Sequence, residues 1–425
     1  MEGGDTSNEQ RNAQLSEGNN RFALELFEHV SGQDESSNVF FSPFSISVAL
    51  AMTFAGARGR SADEMAKVLH FPSESVHQDF ARYLTSLTAS ASEGVKLLLG
   101  NALWLQQNYP VEETFLKLTE LYHAEANNLD FGQSEKARQT INQWVAQQTQ
   151  DKIKDLIPSG VLDEQTKMVL TNAIYFKGTW QYTFPNDRTK KEDFFLLEDK
   201  EKLEVDMMHL PKQRLAYAQN EEKGYEVLQL PYKGNDVSMV IVLPSDHSKD
   251  RLSSLRQPNS LAEILSSLSS LQKSEVQVTL PKFSTTHSIS LSKALSSLGM
   301  PHPFSDDADF SGMTSDPYVL FFCFHFSLSL SLSLSLSRFL SLLPSLPLLL
   351  YSVGLKIAEV LHKAFVEVNE EGTEAAAATA VVMRARCMVL KREIHFVADH
   401  PFLFFIYHQP LDSILFLGTM LDPRR

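Results

Sequence analysis

Cysteine is almost missing from this chain. Cys323 and Cys387 are the only two in 425 residues, so no disulfide framework supports the fold. Positive charge is also scarce: 38 Lys and Arg stand against 52 Asp and Glu, a formal net charge of −14 at pH 7. That balance argues against nucleic acid or an anionic membrane surface as the partner. The amino-terminal MEGGDTSNEQRNAQLSEGNN has no apolar core and does not read as a signal peptide, and no Asn-x-Ser/Thr sequon occurs. Together these absences favour a reducing, cytosolic compartment.

Catalytic signatures are absent too. There is no Gly-x-Ser-x-Gly, no His-Glu-x-x-His, no Walker-type Gly-Lys-Ser/Thr loop and no Rossmann glycine pattern. The 13 histidines are scattered and no Cys pair has zinc spacing. The sequence therefore predicts no enzyme, no metal and no cofactor.

What is present is core-forming material, 43% hydrophobic by residue. Residues 1–14 read as a disordered lead-in. RFALELFEHV (21–30) has apolar residues at helical spacing. In NVFFSPFSISVALAMTFAGARG (38–59) a short apolar strand runs into Ser42-Pro43, an N-cap followed by proline at the first helical position. TINQWVAQQTQDKIKDLIP (140–158) predicts an amphipathic helix stopped by Pro158. Strands dominate afterwards. MVLTNAIYFKG (168–178) is apolar nearly throughout, as in a strand covered on both faces. Runs 225–230 and 237–243 flank Gly234-Asn235-Asp236, a hairpin signal, and 276–283, 362–368, 400–406 and 413–418 add further strands. Helices early and strands late, without regular βαβ alternation, define an α+β class in one domain over 15–425.

One segment interrupts that domain. From 317 to 352 the chain reads PYVLFFCFHFSLSLSLSLSLSRFLSLLPSLPLLLYS. Its period of two is formally strand-like and its apolar length formally span-like, although Arg338, Pro344 and Pro347 weaken a membrane reading. A CT dinucleotide repeat encodes Ser-Leu without end, so translated intron or a gene-model artefact is the favoured explanation.

EEGTEAAAATAVVMRARC (370–387) raises a different question. Four alanines and flanking glutamates favour helix, yet Thr379, Val381 and Val382 follow and an Arg-Ala-Arg-Cys run fits no amphipathic face. With NVFFSPFSISVALAM, INQWVAQQTQDKIKDL, LTNAIYFKGTW and DHPFLFFI, this segment makes five motifs that occur in serpin order and at serpin spacing, from about Leu15 to Leu421. The chain resembles the serpins, and its ADHPFLFFI ending resembles the ovalbumin-type (clade B) intracellular branch.

The resemblance implies a fold of three β-sheets and eight or nine helices, with an exposed reactive-centre loop. It implies that the loop, once cut by a protease, inserts into the central sheet as an extra strand and traps the acyl-enzyme. Gly372, Thr373, Glu374, Ala375, Ala376, Ala377, Ala378 and Thr379 match the hinge, where small side chains allow entry. Counting onward, Arg386 precedes the scissile bond, Cys387 follows it, and Arg384 offers a second frame. An arginine there implies a trypsin-like serine protease as partner. Ser42, Ser45, Asn172 and His362 match a polar "shutter" under the central sheet, with His362 in no catalytic role; Lys282 and Glu370, near Trp180, match an ion pair where insertion begins.

In SESVHQDFARYLTSLTASASEG, Arg82 is the only basic residue apart from His77, so no heparin site is expected. The remaining expectations are a monomer, no nucleic acid or membrane partner, and a cytoplasmic protein, with nuclear residence or release from the cell open. The alternatives are a non-inhibitory carrier or chaperone-like serpin, and a product disabled by the insert.

Overall fold

A computed structural model describes residues 5–32, 35–71, 76–89, 94–107, 111–122, 124–197, 201–314, 355–373 and 393–425. The insert 317–352, the hinge residues Glu374, Ala375, Ala376, Ala377, Ala378 and Thr379, and the bait residues Arg384, Arg386 and Cys387 lie outside the described residues.

The helices are α1 (Asp5–Ser31), α2 (Pro43–Phe54), α3 (Gly59–Val68), α4 (Val76–Ala89), α5 (Glu113–Glu120), α6 (Ser134–Gln148), α7 (Lys249–Arg256), α8 (Pro258–Ser267) and α9 (Ser292–Leu298). The strands are β1 (Val39–Phe41), β2 (Val95–Gln106), β3 (Glu125–Leu129), β4 (Met168–Thr179), β5 (Lys190–Phe195), β6 (Lys202–Asn220), β7 (Tyr225–Pro231) and β8 (Val237–Pro244). They continue with β9 (Gln272–Pro281), β10 (Phe283–Ser290), β11 (Glu359–Val368), β12 (Gly372–Thr373), β13 (Ile394–Val397), β14 (Phe402–His408) and β15 (Ser413–Met420).

Six strands form the central sheet in the order β10-β11-β12-β4-β2-β3. The other nine form one hydrogen-bonded set, β1-β15-β14-β8-β7-β6-β9-β13 with β5 on β6. β6 is 19 residues long and its register shifts between Leu210 and Gln213. Its first half pairs with β5 and its last residues with β7, so two layers share this strand. The α+β class and nine α-helices among the described residues match the expectation, while the expected three sheets appear as two hydrogen-bonded sets because β6 continues from one layer into the next.

Apolar patterning explains the layering. Every residue of α2 from Pro43 to Thr53 is buried, which suits a helix enclosed between the central sheet and β15. On the opposite face α6 covers β2 and β4 through a second cluster that includes Trp104, Ile141, Val145, Ile157 and Leu361. β4 is thus covered from both sides, and its long apolar run follows.

Three expectations need correction. α1 starts at Asp5, so most of the expected lead-in is helical; its Glu, Gln, Arg and Ala residues favour helix, and Leu15 and Ser16 are already buried. The helix expected over 140–158 spans 134–148 instead. It stops because Gln150 and Asp151 adopt positive φ, and Asn142 then ties the following loop through Ile157 (Nδ2 to O 3.0 Å, N to Oδ1 2.8 Å). The run 276–283 is two strands, because the chain leaves one sheet at Pro281 and enters the other at Phe283. Lys282 is the residue between them.

Candidate functional site

β4 and β11 run side by side in parallel from Val169↔Glu359 to Tyr175↔Phe365. Beyond that point they part, and β12 occupies the gap. Thr373 pairs with Val368 of β11 on one side and Gly178 of β4 on the other, and Gly372 pairs with Thr179. β12 arrives there through a tight reversal. Asn369 N donates to Gly372 O (2.9 Å), Gly372 N donates back to Asn369 O (3.3 Å), and Asn369 Oδ1 accepts from Glu371 N (3.1 Å). An asparagine whose side chain bonds the backbone two residues on is a common way to hold such a turn.

Glycine is required at this entry. Gly372 has φ +153°, and a Cβ built on it would lie 2.0 Å from the carbonyl oxygen of Gly178. That contact is backbone on backbone, so no rotamer relieves it. A Cβ on Gly178 would in turn meet the Tyr232 ring at 2.6 Å.

Aromatic and polar groups line the entry. Trp180 and Tyr232 stack with centroids 4.5 Å apart and planes 9° off parallel. The Trp180 indole donates to Asn369 O (3.0 Å), and the Tyr232 hydroxyl lies 2.7 Å from Thr373 Oγ1. Burial pushes the Tyr232 phenol well above its usual range and keeps the hydroxyl protonated. Lys282 Nζ lies 3.0 Å from Glu370 Oε2, and Thr189 Oγ1 donates to Glu370 Oε1 (2.8 Å). Burial works against the Glu370 charge, but the backbone, Lys282 and Thr189 hydrogen bonds outweigh it and hold the carboxyl below its usual range.

Deeper in the same seam, Asn172 and His362 are register partners on β4 and β11. Their side chains bond through Asn172 Oδ1 and His362 Nδ1. His362 Nε2 accepts from the Ser42 backbone N–H (3.1 Å), so the proton sits on Nδ1 and the ring is neutral. Burial, with His287 nearby, pushes the imidazole down to about 3. Ser42 caps α2 by accepting from Ser45 N (3.1 Å) and donates its hydroxyl to Leu415 O (2.6 Å). Asn172 Nδ2 donates to Ser45 O (2.9 Å), to Ser45 Oγ (2.5 Å) and to Asn101 Oδ1. All four shutter residues are fully buried, so the N-terminus of α2 is bonded directly to the two strands that must separate if the sheet opens.

The structure thus brings the expected residues into two groups: Trp180, Lys282, Glu370, Gly372 and Thr373 at the open end, and Ser42, Ser45, Asn172 and His362 below. Sequence reasoning missed Tyr232, Thr189, Asn369 and Asn101. Asn369, in a VNEEG turn, carried a turn signal; the others come from distant segments and carried none.

The central pair of strands is thus parted at one end by the turn that carries β12, whose two residues stand between them. The family model described as Serpin (serine protease inhibitor) matches residues 17–423, and the chain belongs to the serpin family. It is similar to the leukocyte elastase inhibitor of Bos taurus, 39% identical over 416 residues that cover 96% of this chain and all of that one. Among solved structures it is similar to Serpin48 of the insect Tenebrio molitor, with TM-score 0.79 and 31% identity over 96% of this chain and 98% of that one. It is also similar to human thyroxine-binding globulin complexed with thyroxine, with TM-score 0.80 and 28% identity over 98% of this chain and all of that one.

Proposed function

We propose that this protein inhibits trypsin-like serine proteases as a suicide substrate, with Arg386–Cys387 as the bond attacked and Arg384 as the alternative frame. The observation that carries the reading is β12: the first two hinge residues already stand between β4 and β11 as the start of an inserted strand. Thr373 is fully buried against Tyr232, so a strand continuing from it would turn Ala375, Ala377, Thr379 and Val381 toward the same interior, all small enough to follow, and Glu374, Ala376 and Ala378 toward the opposite face.

The chemistry is acyl transfer. The protease serine attacks the Arg386 carbonyl, the amine of Cys387 leaves, and Arg386 remains as an ester on the enzyme. From Gly372 to Arg386 the extended chain spans roughly 50 Å at about 3.3 Å per residue, enough to carry the bound protease the length of the sheet. Deforming the oxyanion hole then removes the donors that hydrolysis of the ester needs. The name of the bovine relative points to an elastase, whose small specificity pocket does not suit arginine; Arg386 points to a pocket with an aspartate at its base. The reading includes a cytoplasmic monomer with a single serpin domain, and 317–352 as translated intron or a gene-model artefact, which sequencing of the transcript across that segment would decide.

The test is to mix the protein with trypsin and with elastase, resolve the products under denaturing conditions, and identify the cut bond by mass spectrometry. An SDS-stable trypsin complex near the summed mass is expected, and Arg386→Ala abolishes it. Cleaved chain beside fully active trypsin would place the protein with carriers such as thyroxine-binding globulin, and persistence of the complex in Arg386→Ala would overturn the bond assignment.

A further inference from the structure

Away from the hinge, one trio of chelating side chains converges among the described residues: His247, Asp399 and His400, with ligand atoms all within 4.8 Å of one another. His247 lies in the loop after β8, and Asp399-His400 in the turn between β13 and β14. The two imidazole rings are 4.5 Å apart at a 41° tilt, and Phe195 at the end of β5 stacks on His247 at 5.1 Å. The Asp399 backbone is fixed, because its carbonyl accepts from Phe195 N at 2.7 Å.

His400 is wedged between two oxygens. Its Nε2 lies 2.8 Å from Pro244 O and its Nδ1 2.8 Å from Asp399 Oδ1, and both oxygens can only accept unless the carboxyl is protonated. A neutral imidazole has one N–H. With that hydrogen on Nε2 toward the carbonyl, the Nδ1 lone pair faces a carboxylate, an arrangement that calls for a cation between them. A metal ion there would gain a third ligand, because His247 is alongside. A ligating histidine that donates its other N–H to a backbone carbonyl is the usual outer support of such a site.

We propose that His247, Asp399 and His400 bind a divalent transition-metal ion of the zinc type. Two imidazoles and a carboxylate suit zinc, whereas calcium and magnesium favour oxygen ligands throughout. A tetrahedral ion at about 2.0–2.1 Å from its ligands needs them roughly 3.3 Å apart, so the His400–Asp399 pair at 2.8 Å opens slightly while the half-buried His247 draws closer. The Asp399 side chain is 32% exposed, which leaves room for water as the fourth ligand. Sequence spacing could not show this site, since its halves lie on distant segments. Its consequence falls on β13, which pairs only with β9, over Ile394–Val397, among the described residues. A bound ion fastens the end of that strand to the loop after β8.

Zinc chloride titrated calorimetrically into the metal-stripped full-length protein tests the site. One ion per chain is expected, and about 10- to 100-fold weaker binding in His247→Ala and in Asp399→Asn. Zinc should raise the unfolding midpoint of the parent by roughly 2–4 °C and leave that of both variants unmoved. His247→Ala spares both hydrogen bonds of His400, so a parental melting curve without zinc confirms that it folds. No binding to the parent, or binding that survives both substitutions, as zinc held by Cys323 and Cys387 would, overturns the proposal.

Discussion

The Tyr232 hydroxyl and Thr373 Oγ1 meet at 2.7 Å inside the central sheet, between residues 141 positions apart in the chain. This bond joins the hinge to the Trp180–Tyr232 stack, and it sets which side chains of a continuing strand face the core. On the proposed mechanism the open end is an occupied and aligned starting point; two expectations follow from its geometry and a third from the buried histidine below it.

Thr373→Arg should turn an inhibitor into a substrate. The site is fully buried, and a guanidinium placed against Tyr232 would lack a counterion, at a cost of several kcal/mol. Trypsin should cut the variant at a parental rate while the SDS-stable complex disappears, and Thr373→Ser should behave as the parent. Undiminished complex in Thr373→Arg would show that entry does not begin at this residue.

A chain nicked within 384–387 should melt higher than the intact chain. A strand continuing from β12 would replace the parallel β4–β11 pairing with two antiparallel ladders, the slightly more stable arrangement. The rise should far exceed the few degrees that a change of about 1 kcal/mol produces. Calorimetry on nicked and intact samples measures it, and coincident transitions would refute insertion.

Stability should fall on mild acidification, in part through His362. Its folded-state pKa, about 3, lies below the usual value of 6.5, so the unfolded chain takes up the proton first. The contribution is complete above pH 6.5, shrinks as pH falls below it, and stops changing only below about pH 3. At pH 5.5 the loss from this one group is about 1.4 kcal/mol. His408, lowered to about 4, acts in the same direction. Urea midpoints at pH 7.5 and 5.5 should therefore differ less in His362→Gln than in the parent; equal differences would remove His362 from the account.

Much of this architecture was legible in the chain. The Ser42-Pro43 start of α2, the doubly covered β4 and the 234–236 turn were readable from local chemistry, because each depends on neighbours in sequence. Of the hinge expected at 372–379 only Gly372 and Thr373 are described, and the resemblance marked it, since its composition alone favours helix. Tyr232, Asn101 and Thr189 were not, because they acquire their roles only when distant strands meet. The end of α6 was misplaced because two polar residues, Gln150 and Asp151, adopt a left-handed backbone that no propensity announced. The break at Lys282 escaped notice because an apolar run reads alike whether it serves one sheet or two.

That break also links the two sheets mechanically. Lys282 N donates to Asp206 O (2.8 Å) on β6, while its ammonium reaches Glu370 in the turn that feeds β12. One residue thus touches both ladders. Any shear between the nine-strand and six-strand ladders changes the Lys282–Glu370 separation directly, and with Thr189 on the other oxygen of the same carboxylate the turn is tied to the outer ladder at two points.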